Sequence, residues 1–357
     1  MQNLDDLQGM KNLDELNVLG SIEQVGKQCQ QAWDDVEHLE FPDAYTRPDN
    51  IVFAGMGGSS LGAYIIKSLF YDQINLPFEI VNGYHLPPYV GPKTLVIVCS
   101  YSGTTEEAVS AAREAVAKKA MLTGIAVGKT LADVFHEAKV PAYVFSPTYN
   151  PSNQPRLGTG YTAYGQIAIM AKLGLIHVSS EETKEVLEVA QKGNEKYTAT
   201  VKTSNNRAKQ LAHKWYEKIP IIVASEFLWG AARVVRNQFH ECAKAFAAYH
   251  DIQELNHHLM EALTFPKKNK ELLTFLFLSS DLYSPPIRKR VSVTKDVVVK
   301  QGMSFEEFSP ESKTKITQVF ECVQFGAYVN YYMSMLYDID PSKIPWVDYF
   351  KAELAKT

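Results

Sequence analysis

The chain has 357 residues, 46% hydrophobic and 21% charged, with a formal net charge of −4 and a pI near 6.2. That length exceeds what one hydrophobic core usually supports, so two domains are expected. The acidic balance argues against a nucleic-acid groove or an anionic-membrane face as the main function.

The first twenty residues, MQNLDDLQGMKNLDELNVLG, carry acids where a secretory signal has a basic and then an apolar region. The apolar run TFLFL (274–278) has the length of a core strand, far short of the roughly 20 residues of a membrane span. The four cysteines, Cys29, Cys99, Cys242 and Cys322, form no CxxC pair. Neither a disulfide framework nor a zinc site is expected, and cytoplasmic is the default location.

Residues 1 to about 47 read as helical, with apolar residues at helical spacing from Leu13 through Val25 and Trp33 to Leu39. From Ile51 the pattern alternates. IVFAG is a short buried strand, GMGGSSLG a glycine loop and AYIIKSLFYD an amphipathic helix. FEIVNGY (78–84) and TLVIVCS (94–100) are further strands, the second running through SGTT into the helix EEAVSAAREAVAKKA. LTGIAVG and AYVFS complete the series. Strands apolar throughout and separated by helices predict a parallel sheet covered on both faces.

The segment PTYNPSNQPRLGTG (147–160) is a long polar excursion, a kind of loop that usually serves function, before a helix over 161–173. A polar helix from Ser179 leads to a second set beginning at IPIIVAS (219–225), with a helix through Arg233 to Lys244 and strands at AFAAYHD and LLTFLFLSS. The shared strand–turn–helix plan suggests duplication, but the second loop, SEFLWGAA, lacks the glycine cradle.

Two turns of the first half carry the strongest signal. Gly55, Gly57, Gly58, Ser59, Ser60 and Gly62 follow the first strand, where bare backbone N–H groups can approach an anion at a helix N-terminus. A dinucleotide fingerprint fails on two details: Ser60 stands where the third glycine belongs, and the second strand ends near Asn82 rather than in an acid. No Gly-Lys-Ser/Thr follows, so a Walker loop is excluded. The other turn, Ser100-Tyr101-Ser102-Gly103-Thr104-Thr105-Glu106-Glu107, brings four aliphatic hydroxyls to a helix mouth. Thr104 with Glu107 fits a capping box worth ~1 kcal/mol. A cap needs one hydroxyl, and four without a lysine suit a phosphate monoester.

VFAGMGGSSLGA followed by CSYSGTTEEA resembles the paired loops of the sugar-isomerase (SIS) domain. Over nearly its whole length the chain is similar to the bifunctional phosphoglucose/phosphomannose isomerases. The resemblance implies an α/β fold of two SIS-type domains, each a parallel sheet flanked by helices, plus a C-terminal helix. Boundaries are expected at 1–47 (helical), 48–178 (phosphate-binding), 179–335 (second SIS domain) and 336–357 (C-terminal helical). It implies that Gly58, Ser59, Ser100, Ser102 and Thr105 hold the sugar phosphate. Thr104 replaces the family's usual Asn.

Aldose–ketose isomerisation needs a base beside C1 and C2, a cation for the enediolate and an acid–base pair for ring opening, with no metal or cofactor. The resemblance assigns the base to Glu241, in RNQFHECAKAF, and the enediolate cation to Arg156. Ring opening falls to His257, in QELNHHLMEA, and Lys351, in WVDYFKAEL. Taken alone, Glu241 and Lys244 at i, i+3 could be a surface ion pair worth ~0.2–0.5 kcal/mol. Arg156 and Lys351 could equally be solvated, and His257 a capping or buried histidine. His240, Gln253 and His258 depart from the family's Asn, Pro and Asn.

The expected activity is reversible isomerisation of glucose 6-phosphate or mannose 6-phosphate and fructose 6-phosphate. The partners expected are the hexose 6-phosphate and a second copy, since family members are homodimers that borrow the histidine; nucleic acid and membrane are not expected. A non-catalytic sugar-phosphate sensor, which would not need Arg156, Glu241, His257 and Lys351 together, is the alternative from another class. An amino-sugar isomerase or deaminase comes next and an NAD-dependent dehydrogenase last.

Overall fold

A computed structural model describes residues 3–354 and Lys356. The first half holds five parallel strands: β1 (Asn50–Gly55), β2 (Phe78–Val81), β3 (Thr94–Ser100), β4 (Met121–Ala126) and β5 (Tyr143–Val144). Their order is β2-β1-β3-β4-β5. The central strands are the apolar ones, with every residue of β3 and β4 buried, as a sheet covered on both faces requires. Register runs Ile51 beside Leu95 and Ile97 beside Thr123.

The second half holds β6 (Ile219–Ala224), β7 (Ala248–Asp251), β8 (Leu273–Leu278) and β9 (Ser304–Phe308), all parallel, in the order β7-β6-β8-β9. This repeats the β2-β1-β3-β4 order of the first sheet, so the two halves share a topology as well as a gross plan. The likeness extends to the first turn. Gly57 takes a φ of 50° and Glu226 a φ of 45°, each opening a short 3₁₀ turn that leads into a helix. In the second half the Glu226 carboxylate itself accepts from Ser284 N (3.1 Å) and Oγ (2.5 Å) at the start of the Pro285–Lys300 helix.

β9 is not evident from its sequence, SFEEF. Its two glutamates read as solvent-facing, yet Glu306 pairs with Lys214 at 2.6 Å and Glu307 with Lys295. An edge strand bordered by cations tolerates the charge. The strand expected over 78–84 ends at Val81, and the N-terminal segment is three helices, Leu7–Leu13, Val18–Glu23 and Val25–Glu37. The helix expected over 161–173 opens with one π turn, Gly160–Tyr164, before regular α-helix from Gly165.

The halves are joined through helices. Lys315–Leu336 is buried along almost its whole length and packs on Ser180–Tyr197, Arg207–Trp215 and Trp229–Glu241. One apolar core therefore runs from β1 and β3 across to β6 and β8. Among the described residues no helix is long and apolar enough to cross a membrane.

Candidate active site

In an open parallel sheet, ligands bind beyond the strand C-termini where neighbouring connections diverge to opposite faces. Here that point lies between β1 and β3, and the two loops singled out in the sequence meet there. Ser59 Oγ accepts from Tyr101 N at 2.9 Å, tying one loop to the other. Ser100 Oγ lies 3.4 Å from Ser102 Oγ and donates to Thr105 Oγ1 at 2.9 Å, while Gly103 N donates to Ser100 Oγ at 3.2 Å. Gly103 has a φ of 70°, and a Cβ there would come within 1.9 Å of Gly128 O. Only glycine allows the turn that gathers these hydroxyls.

The expected Thr104–Glu107 capping box does not form. The N-cap is Thr105, without a side-chain cap bond, and Thr104 Oγ1 turns back to Ser102 Oγ at 3.3 Å. Ser102 and Thr105 accept within the cluster, which leaves their own hydroxyl protons available to a ligand. Asn82 is committed within the fold, donating to Gly55 O (2.6 Å) and accepting from the Tyr64 hydroxyl (2.8 Å).

A cleft of about 820 Å³ opens beside these loops, and Gly58, Ser59, Ser102, Thr105, Arg156, Glu241 and Lys351 all line it. Ser100 stands just behind, fully buried and bonded to Ser102 and Thr105. The structure thus brings together eight of the nine expected site residues. The ninth, His257, lies on the exposed face of the Ile252–Ala262 helix and does not reach the cleft.

Glu241 is the last residue of its helix. Burial pushes its carboxyl above the ordinary glutamate value, partly offset by the positive charges of Arg156, Lys351 and Lys244. The helix expected to reach Lys244 stops at Glu241, and Lys244 takes a φ of 52°. The possible surface pair with Glu241 is not what forms. The Lys244 ammonium instead donates to Cys242 O (3.1 Å) and Asp340 O (2.7 Å).

Arg156 is only 5% exposed, so it is not the solvated loop arginine that its polar surroundings suggest. Its Nη2 donates to Pro341 O (3.0 Å) and Ser342 O (2.6 Å), its Nη1 to Gln154 Oε1 (3.0 Å), and Nε is buried without an acceptor. The loop that carries it is held from the N-terminal helices by a residue the sequence reading passed over. Fully buried Gln28 donates to Ser21 O, Tyr149 O and Leu157 O and accepts from Gly160 N. Gly160 makes this approach possible, since a Cβ there would come within 2.4 Å of Gln28 Cβ. The only trace in the sequence is a glutamine among Gly26, Cys29 and Ala32, which are also buried.

Lys351 is exposed on the C-terminal helix Pro345–Leu354, which borders the cleft through Val347, Phe350 and Leu354. Among the described residues no cluster of three or more His, Cys, Asp or Glu side chains is arranged to hold a metal ion.

Residues 204–354 match the family model described as the bacterial phospho-glucose isomerase C-terminal SIS domain. A bifunctional phosphoglucose/phosphomannose isomerase of Caldicellulosiruptor bescii is 28% identical over 345 residues, covering 94% of this chain and 98% of the relative. One of Thermoplasma acidophilum is 29% identical, covering 86% of this chain and 90% of the relative. Among solved structures, a hypothetical protein of Thermus thermophilus superposes with a TM-score of 0.74 at 14% identity, covering 98% of this chain and 93% of that one. A glucose-6-phosphate isomerase like protein from the same organism superposes at 0.62 with 15% identity, covering 97% and 100%. Paired parallel sheets and hydroxyl-lined turns at the first sheet's divergence point accompany this likeness, and over most of its length the chain is similar to bifunctional phosphoglucose/phosphomannose isomerases.

Proposed function

We propose that the protein interconverts glucose 6-phosphate or mannose 6-phosphate with fructose 6-phosphate through an enediol, with Glu241 as the base. The observation that carries this reading is one cleft lined by the part-buried Glu241 carboxylate, the hydroxyls of Ser59, Ser102 and Thr105, and the cations Arg156 and Lys351. Gly58, Ser59, Ser100, Ser102 and Thr105 hold the phosphate by neutral donors at a helix N-terminus. That fixes C1 and C2 beside Glu241.

Glu241 removes the proton from one of these carbons and returns it to the other. As it does so, negative charge builds on the carbonyl oxygen, and the buried guanidinium of Arg156 lowers the energy of that charge. Lys351 shares ring opening with His257. Because the enediol is planar at C2, glucose and mannose phosphates give the same intermediate, and one site serves both. No metal or organic cofactor enters these steps.

His257, exposed and outside the cleft of its own chain, serves the site of a second copy in a homodimer. The division at 47, 178 and 335 is the one we adopt for the domains, and the cytoplasm is the proposed location. Incubation with fructose 6-phosphate, followed by assay of both aldose phosphates, tests the reading. Formation of neither aldose, with the sugar phosphate still bound, would favour the sensor.

Trans action of His257 has its own test. Glu241→Gln and His257→Ala chains, each inactive alone, should regain activity when unfolded together and refolded, because a mixed dimer contains one site with both residues intact. No recovery would show that His257 does not act in the site of the second copy.

A further inference from the structure

The C-terminal helix Pro345–Leu354 has no buried residue. Packing of its faces therefore does little to fix it, although Lys351 stands near its end. What precedes it is tightly held. Three successive carbonyls, of Asp340, Pro341 and Ser342, accept hydrogen bonds from two cations that arrive from different parts of the fold. Lys244 Nζ donates to Asp340 O at 2.7 Å, and Arg156 Nη2 to Pro341 O and Ser342 O at 3.0 and 2.6 Å. The Asp340 carboxylate closes the turn from within, accepting from Ser342 N (2.7 Å) and Oγ (2.6 Å) and pairing with Lys343 at 3.3 Å.

The geometry at Lys244 is built for this reach. Its helix ends at Glu241, and the left-handed φ of 52° is one that few residues other than glycine adopt. The turn is closed by Ala245 N donating to Phe239 O at 3.0 Å. The lysine side chain then reaches back to the 340 carbonyl, although the residue stays partly exposed to water. Burial pushes its ammonium down to about 8, with Arg156 adding to the fall and Asp340 and Glu241 opposing it.

We propose that Lys244 is a positioning residue. With Arg156 it clamps the 340–344 linker and so sets where the C-terminal helix carries Lys351 over the cleft. The kinetic consequence rests on the isomerase reading, whereas the mechanical consequence does not.

The test uses Lys244→Met, which cannot donate to either carbonyl, and Lys244→Arg, which can. The four native cysteines are buried, so nitroxide labels can be placed on Ala352→Cys and Glu137→Cys, both exposed positions. With Lys244 intact, the distance between labels should be narrowly distributed. Lys244→Met should broaden it and Lys244→Arg should restore it. A broad distribution with Lys244 intact, or one unchanged by Met, overturns the clamp whether or not the protein is an isomerase.

In kinetics, Lys244→Met should lower kcat by about 10–100-fold, the scale on which misplacing a catalytic group by about 1 Å acts, with KM nearly unchanged. In a Lys351→Met background the same change should have no further effect, because its target is already gone. Full multiplication of the two losses would show that Lys244 does not act through Lys351. Absence of activity in the unmutated protein would defeat the isomerase reading and leave the label distances to decide the clamp.

Discussion

Arg156 and Ser342 lie 186 positions apart in the chain, and the guanidinium Nη2 of one donates to the carbonyl oxygen of the other at 2.6 Å. The bond joins the 147–160 loop to the segment leading into the C-terminal helix, with Glu241 lining the same cleft. It holds a buried cation in place through backbone acceptors, so its charge is not cancelled by a fixed carboxylate partner. A cation held this way remains available to a developing oxyanion.

Replacement of Glu241 by glutamine keeps the shape of the site and removes the base. Turnover should fall on the order of 10²–10⁴-fold while fructose 6-phosphate binding changes little. Solvent deuterium should enter C1 or C2 with the unmutated protein and not with the variant. Near-normal turnover and exchange would remove Glu241 from the reaction.

Burial holds the Glu241 carboxyl above 4.5, which fixes the sign of two pH effects. As a base it must be ionised, so the acid limb of kcat/KM should lie above the ordinary glutamate value. A carboxyl whose pKa is higher folded than unfolded binds protons more tightly in the folded state. Its contribution to stability is therefore greatest below the unfolded pKa and lost as pH rises through the folded one. Denaturant midpoints of the native chain and Glu241→Gln should diverge in that direction as pH rises, and a pH-independent difference would contradict the assignment.

Changing both Ser100 and Ser102 to alanine should chiefly raise KM, because phosphate is held alike in ground and transition states. Ser100 Oγ also accepts from Gly103 N, so a loss of about 1 kcal/mol in stability should accompany the change. Unaltered KM with lowered stability would restrict both hydroxyls to shaping the turn.

Gln28→Leu is nearly isosteric but cannot meet three carbonyls and one N–H in a buried site. The cost should be about 2–4 kcal/mol in denaturant unfolding. Activity should fall under conditions where the variant is still folded, because the Arg156 loop loses its anchor. A stable variant with normal kcat would show that the loop is fixed by other contacts.

Isomerisation should survive EDTA, because the carboxylates lining the cleft form no metal-ligating cluster among the described residues. Loss on chelation with recovery on added zinc would require a different mechanism.

Much of the fold was legible in the sequence because its signals are local. Runs such as IVFAG and TLVIVCS are apolar at every position, and a strand with that pattern must be covered on both faces. The glycine and serine loops after β1 and β3 are the basis for proposing an anion site, because helix N-termini and bare backbone amides attract negative charge wherever they occur. The roles proposed for Glu241, Arg156 and Lys351 rest on family likeness, since an arginine in a polar loop and a lysine near a terminus carry no local mark of function. Tertiary structure decided the rest. It turned Arg156 and Lys244 onto the carbonyls of 340–342, threaded Gln28 under the 147–160 loop and admitted the glutamate-bearing β9 at a sheet edge. It also left His257 facing away from its own cleft. Most of these partners lie about 100 or more residues away, and many are backbone carbonyls. A carbonyl is the same in every residue, so a sequence has no means of showing which one a buried donor will find.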